Sequence, residues 1–204
     1  MAGGLEGPAP HERPHPQGRR NTHGIRIDPE AEATEEPRRT VLSALVQHEP
    51  GVLAEVSGLF SRRRFNIESL TVGPTLDDDW ARITMVIEEP EPGIEQAEKQ
   101  LEKLIPVVSV TELGADSVAQ ELAMFKLGAD DPDEVQAITE MHDGKVVHVD
   151  RDSITVEVTG TETVIDEALD SFERFTVREI VRTGTAALRR GAALTAEETA
   201  EETP

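Results

Sequence analysis

Cysteine is absent from this 204-residue chain, so neither a disulfide framework nor a thiolate metal site is available to it. No apolar run approaches the length of a membrane span, and residues 1–30 lack the hydrophobic core of a signal peptide. The expectation is a soluble, cytoplasmic protein with no membrane partner. Catalytic signatures are scarce as well: GxGxxG, GxxxxGKS/T and GxSxG do not occur, and the HExxH match at His11-Glu12-Arg13-Pro14-His15 holds a proline in a stretch without helical periodicity. His142-Asp143 and His148 stand near acids, but they fall on a helix end and a strand and read as surface residues. With no nucleophile–base constellation, no catalytic residue is assigned and no catalysis is expected of this chain alone.

Positive charge is scarce too. Lys and Arg number 20 against 41 Asp and Glu, a formal net charge of -21. Such a chain repels phosphate backbones, which argues against a nucleic-acid partner. The acids decorate periodic apolar segments, so they read as a surface kept hydrated and soluble where salt screens charge. A salt-loving host, haloarchaeal in kind, is expected. Arg62-Arg63-Arg64 closes a helix, where cations complement the negative pole of the dipole. Asp77-Asp78-Asp79 lacks the Gly and distal Glu of a calcium loop and reads as a solvated hairpin, so no metal site is assigned.

Residues 1–38 hold six of the 13 prolines and five glycines without apolar periodicity, the composition of a disordered extension. His11, His15 and His23 lie in it and read as solvated rather than as metal ligands. Residues 191–204, with Glu197, Glu198, Glu201 and Glu202, read as a second, acidic disordered tail. Between these ends one pattern occurs twice. Residues 41–46 form a strand apolar on both faces, suited to the centre of a covered sheet. Val52, Leu53, Val56, Leu59 and Phe60 recur at helical spacing. Residues 67–72 and 83–87 are strands, and Ile94, Ala97, Leu101, Leu104 and Ile105 mark a second helix ended by Pro106. Residues 107–113 close the unit as βαββαβ.

The second half repeats it. Residues 122–127 form a strand, and Asp131-Pro132-Asp133-Glu134 supplies a cap, a proline at the first helical position and first-turn acids. Residues 146–149 and 154–158 form a hairpin, Thr163 can cap a helix bearing Ile165, Ala168, Leu169 and Phe172, and residues 175–181 supply the last strand. The expectation is an α+β fold of two consecutive ferredoxin-like domains, residues 39–115 and 116–190. The split sheet leaves an edge strand free for another chain.

His48-Glu49-Pro50-Gly51 precedes the first helix, whose first amides lack intrahelical acceptors and carry about half a positive charge. Pro50 has no N–H, which leaves Gly51, Val52 and Leu53 as donors for a carboxylate, and Gly51 places no Cβ in a ligand's way. An ordinary β-to-α turn needing a glycine fits the same residues. Asn66 can donate to a carboxylate and accept from an ammonium, which suits an amino acid; a helix-to-strand turn residue is the plainer reading.

The wording of these segments resembles a known family. Gly51-Val52-Leu53, Gly58-Leu59-Phe60-Ser61, Asn66 through Val72 (NIESLTV), residues 100–114 (QLEKLIPVVSVTELG), residues 123–126 and Arg182-Thr183-Gly184 resemble the acetolactate synthase small subunit, over residues 39–191. That resemblance implies an ACT domain that dimerises and binds a branched-chain amino acid, usually valine, between its two copies. It implies a separate large catalytic subunit carrying thiamine diphosphate, FAD and magnesium, with no cofactor in this chain. It also implies effector contacts at His48, Pro50, Gly51, Val52, Leu53, Asn66 and Ile67. The family usually has Asn at the place of His48 and Gly at the place of Arg64. The other functional classes are an amino-acid-sensing ACT protein serving another enzyme or a transcription system, and a stand-alone enzyme. A helix-turn-helix would favour the former and an acid–base cluster the latter; neither is readable.

Overall fold

A computed structural model describes residues 19–20, 26–27 and 36–195. Within the expected N-terminal extension, Arg19–Arg20 (β1) and Arg26–Ile27 (β2) form a two-residue antiparallel ladder. The rest of residues 1–35, including His11, His15 and His23, lies outside the described residues, as do residues 196–204 with their four glutamates.

The first domain runs β3 (Arg38–Gln47), α1 (Val52–Arg63), β4 (Ile67–Pro74), β5 (Trp80–Glu89), α2 (Glu91–Leu101) and β6 (Val107–Leu113). Its sheet has the order β4-β5-β3-β6, antiparallel throughout. The second domain runs β7 (Ser117–Gly128), α3 (Pro132–Met141), β8 (Lys145–Val149), β9 (Ser153–Gly160), α4 (Glu162–Phe172) and β10 (Val177–Arg182), in the order β10-β7-β9-β8. Counted within each unit, both sheets place the strands second, third, first, fourth. These are the two ferredoxin-like domains of an α+β fold.

Burial at helical spacing explains the helices, alternating burial explains strands such as β9, and continuous burial explains β3 and β5. Leu42, Ala44 and Val46 of β3 meet Ile83, Met85 and Ile87 of β5 beneath Val52, Val56, Leu59 and Phe60 of α1 and Ile94, Ala97 and Leu101 of α2. Each large aliphatic buried there contributes about 1.5–3 kcal/mol. The second core repeats the plan with Phe125 and Phe172 at its centre, ring centroids 5.1 Å apart. As expected of a covered sheet, the back face of the first sheet is closed too: Ser43, Leu45, Thr84 and Val86 are all buried. β11 (Ala186–Arg189) lies against β6 on this side, with Ala187 buried.

Several boundaries differ from the pattern reading. β3 opens at Arg38, because Arg38–Thr40 pair with Ile87–Glu89 and Arg38 bridges Glu91 and Glu112. The Arg38 guanidinium on Glu112 holds that carboxyl below its usual range, against the opposing effect of burial. α2 stops at Leu101, and Ile105 stands 94% exposed in the turn before Pro106 rather than on the helix face. α4 is preceded by Thr161, which places Thr163 inside its first turn. β7 begins at Ser117, five residues before the expected strand, because β11 pairs with its polar first part. Residues 191–195 are not free tail: Thr195 is buried and its hydroxyl accepts from the Arg189 amide at 2.9 Å. Asp131 caps α3 as expected, accepting from the Glu134 amide at 3.1 Å, with Pro132 opening the helix.

Candidate functional site

The turn before α1 has the signature of a type II β-turn. Pro50 occupies its second position, Gly51 its third with φ 98 and ψ -21, and the Val52 amide reaches back to the Glu49 carbonyl at a long 3.5 Å. Only glycine enters that region without strain, so the local sequence fixes this geometry. Its consequence lies at the start of the helix. The Gly51 carbonyl accepts from Glu55 at 3.0 Å, no side chain caps α1, and among the described residues the amides of Gly51 and Leu53 have no acceptor. A Cβ built on Gly51 meets nothing within 4 Å, so the space above the turn is open. His48, Glu49, Pro50 and Gly51 are exposed, Leu53 is half-exposed, and Val52 is buried as the first residue of the core face.

Two neighbouring loops brace the turn. The Gln47 amide donates to the Pro106 carbonyl at 2.8 Å, and the His48 amide to the Asp79 carbonyl at 2.8 Å. His48 Nδ1 lies 3.1 Å from the Asp78 carbonyl, and because a carbonyl only accepts, that nitrogen carries the proton. His48 therefore spends one ring nitrogen on holding the turn, and among the described residues its Nε2 has no partner. The Asp77–Asp79 hairpin reads from sequence as solvated and nothing more; its backbone carbonyls clamp the site, a role no side-chain pattern announces. No group of three or more His, Asp or Glu residues able to hold a metal occurs among the described residues.

Asn66 and Ile67 stand elsewhere. Ile67 pairs with Ile87 at the edge of the sheet that carries Thr40, whereas the turn follows Gln47, which pairs with Trp80 at the other end. The 12 residues of α1 separate the two places by about 18 Å at 1.5 Å per residue. Within one chain they do not converge on a small ligand. Asn66 is exposed, directly preceding β4, and Ile67 is half-buried against the first core.

Between them, α1 ends on Arg64 in the left-handed region, φ 62 and ψ 28. The Phe65 amide bonds the Phe60 carbonyl at 3.1 Å and the Arg64 amide the Ser61 carbonyl at 3.3 Å, a Schellman-type end. Arg62 and Arg63 sit in the last turn as expected, with Arg63 donating to Gln100 of α2 at 2.9 Å. A residue with a Cβ costs about 1–2 kcal/mol in that region. Arg64→Gly should therefore stabilise the protein by about 1 kcal/mol, after the greater freedom of glycine in the unfolded chain is subtracted. Urea unfolding at fixed salt will read this as a raised midpoint with unchanged slope; a lowered midpoint would contradict it.

The first of the two tandem ferredoxin-like domains, which opens its helix on a bare Pro-Gly turn, is a domain of the ACT class. The profile of the AHAS small subunit-like ACT domain matches residues 42–109, and that of the small subunit of acetolactate synthase matches residues 120–191. The chain belongs to the acetolactate synthase small-subunit family. It is 46% identical to the acetolactate synthase small subunit of Mycobacterium leprae over 153 residues, 74% of this chain and 90% of that one. It is 44% identical to that of Mycolicibacterium smegmatis over 153 residues, with the same two shares. The crystal structure of the acetolactate synthase small subunit from Thermotoga maritima matches with a TM-score of 0.72 and 34% identity, over 76% of this chain and 99% of that one. The chain is thus a regulatory subunit and not the catalytic one. Among the described residues no helix is long and apolar enough to cross a membrane.

Proposed function

We propose that this chain stimulates the large catalytic subunit of acetolactate synthase and imposes feedback inhibition by valine. The large subunit carries thiamine diphosphate, FAD and magnesium, and both act in the cytoplasm. The effector site is built from two copies of the ACT domain. The turn of one copy offers the Gly51 and Leu53 amides to the effector's carboxylate, with Val52, Pro50 and His48 forming its wall. Asn66 and Ile67 of the other copy face its ammonium and side chain.

The observation that carries this reading is the bare turn: a helix start with unpaired amides, open space above a glycine, and no side chain of its own to fill either. The separation of Asn66 from that turn supports a site completed by a second chain, since one protomer supplies only half of the polar partners a zwitterion needs. The sheet offers the means, because among the described residues β4 and β6 have no further strand paired at its edges.

Reconstitution tests the reading. The chain alone should form no acetolactate from pyruvate, and adding it to its large subunit should raise turnover several-fold. Millimolar valine should then remove most of that gain. Turnover by the chain alone, or a large subunit indifferent to it at every salt concentration, would refute the assignment.

A further inference from the structure

Two of the strings that mark the family meet in space although they lie more than a hundred residues apart. Ser69 and Thr71 belong to β4; Thr183, Gly184 and Thr185 form the connection between β10 and β11. The Thr185 amide donates to Ser69 Oγ at 2.8 Å, and the Thr71 hydroxyl donates to the Thr183 carbonyl at 3.4 Å. Gly184 lies between them at φ 82. A Cβ placed on it would stand 2.6 Å from Ser69 Oγ and 3.1 Å from Thr71 Oγ1. The approach is closer than a side chain permits, so the connection lies directly on β4.

Both sides of the contact are anchored. The Thr183 amide donates to the Leu122 carbonyl at 3.0 Å, and the Leu122 amide donates to the Thr183 hydroxyl at 3.1 Å, which ties the connection to β7. Arg182 holds the buried carboxylate of Glu121 and reaches Asp166 of α4 at 2.8 Å. On the first domain, Arg39 bridges Glu68 of β4 at 2.9 Å and Glu162, the first residue of α4, at 2.8 Å. Ser69 and Thr71 thus bond the second domain directly and Glu68 reaches it through Arg39, all three lying in β4 just after Asn66 and Ile67.

We propose that Ser69 and Gly184 are the positioning residues of a joint through which occupancy of the effector site is passed to the C-terminal domain. A ligand drawing on Asn66 and Ile67 acts on the first residues of β4, and the joint begins two residues later. Its bonds are few and polar, and inter-domain contacts of that kind permit relative motion. A two-state element biased at one end by ligand and read at the other by the second domain is what coupling between sites requires. This inference rests on the effector reading above.

The test uses the full chain with its large subunit. Calorimetry gives valine affinity of the small subunit, enzyme assays give inhibition, and hydrogen exchange follows the peptide spanning residues 183–185 with and without valine. Ser69→Ala should bind valine within twofold of wild type, need at least fivefold more valine for half-inhibition, and lose the valine-induced protection at residues 183–185. Ser69→Thr, which keeps the hydroxyl, should restore both. If Ser69→Ala fails to fold, Thr71→Val, of matching shape and lacking only the hydroxyl, takes its place with the same expectation. Wild type that binds valine, alongside a folded Ser69→Ala matching it in inhibition and protection, overturns the joint alone. Wild type that binds no valine overturns the effector reading, and the joint's role with it.

Discussion

Gly51→Asp should abolish valine binding. The substitution puts a carboxylate over the amides that the ligand's own carboxylate is proposed to occupy. Two like charges about 4 Å apart at an effective dielectric of about 20 repel by about 4 kcal/mol, roughly a thousandfold in affinity. The backbone at φ 98 penalises any residue with a Cβ, although the open space there imposes no clash. Asp and Asn tolerate positive φ better than other residues, so the fold should survive with a cost of about 1–2 kcal/mol. Gly51→Asn separates the two effects, carrying the same strain and nearly the same shape without the charge. Calorimetry should find no valine binding in the Asp variant and weakened but measurable binding in the Asn variant. Unchanged affinity in the Asp variant would remove the turn from the site, and equal loss in both would make strain rather than charge the cause.

The fold was largely legible because burial leaves its period in the sequence. Leu42, Ala44 and Val46, alternating with Ser43 and Leu45, described a strand buried on both faces, and both faces are covered. The duplicated βαββαβ order followed from such segments alone. What escaped was structure held by partners distant in the chain. β11 and the first part of β7 stabilise each other by backbone pairing, which has no apolar period to read. Ile105 looked like one more helical apolar residue, yet Pro106 and the turn bonds before it leave it in solvent.

The turn proposed as part of the effector site was legible for a local reason. Pro50-Gly51 specifies its turn locally, and the turn is there with its amides bare. The grouping of Asn66 with that turn came from family likeness, and no sequence spacing says that a helix of 12 residues holds them at opposite ends. The clamp from Asp78 and Asp79 is made by main-chain oxygens, to which side-chain identity is blind. Ser69 and Gly184 stood inside recognised strings without an assigned task, because their contact spans more than a hundred residues of chain.

Lowering salt should dissociate the proposed dimer, and valine should oppose it. Each chain carries a formal charge of -21, so two copies repel unless the solvent screens them. The Debye length shrinks from about 30 Å at 0.01 M to about 3 Å at 1 M, and over that range the repulsion between protomers fades. If valine is held between a turn on one copy and Asn66 on the other, only the dimer presents a complete site. Binding then adds a term to dimer stability that grows as RT ln(1 + [L]/Kd), about 2.7 kcal/mol at a hundredfold excess over the dissociation constant. By reciprocity, whatever favours the dimer raises the apparent affinity for valine. Sedimentation from molar to millimolar salt should therefore show a transition to monomer or unfolded chain, and saturating valine should move its midpoint to lower salt. A dimer indifferent to salt would remove the high-salt reading of the acidic surface. A salt-dependent dimer whose midpoint ignores bound valine would place the effector site within one protomer, contrary to the distance that α1 sets between its two halves.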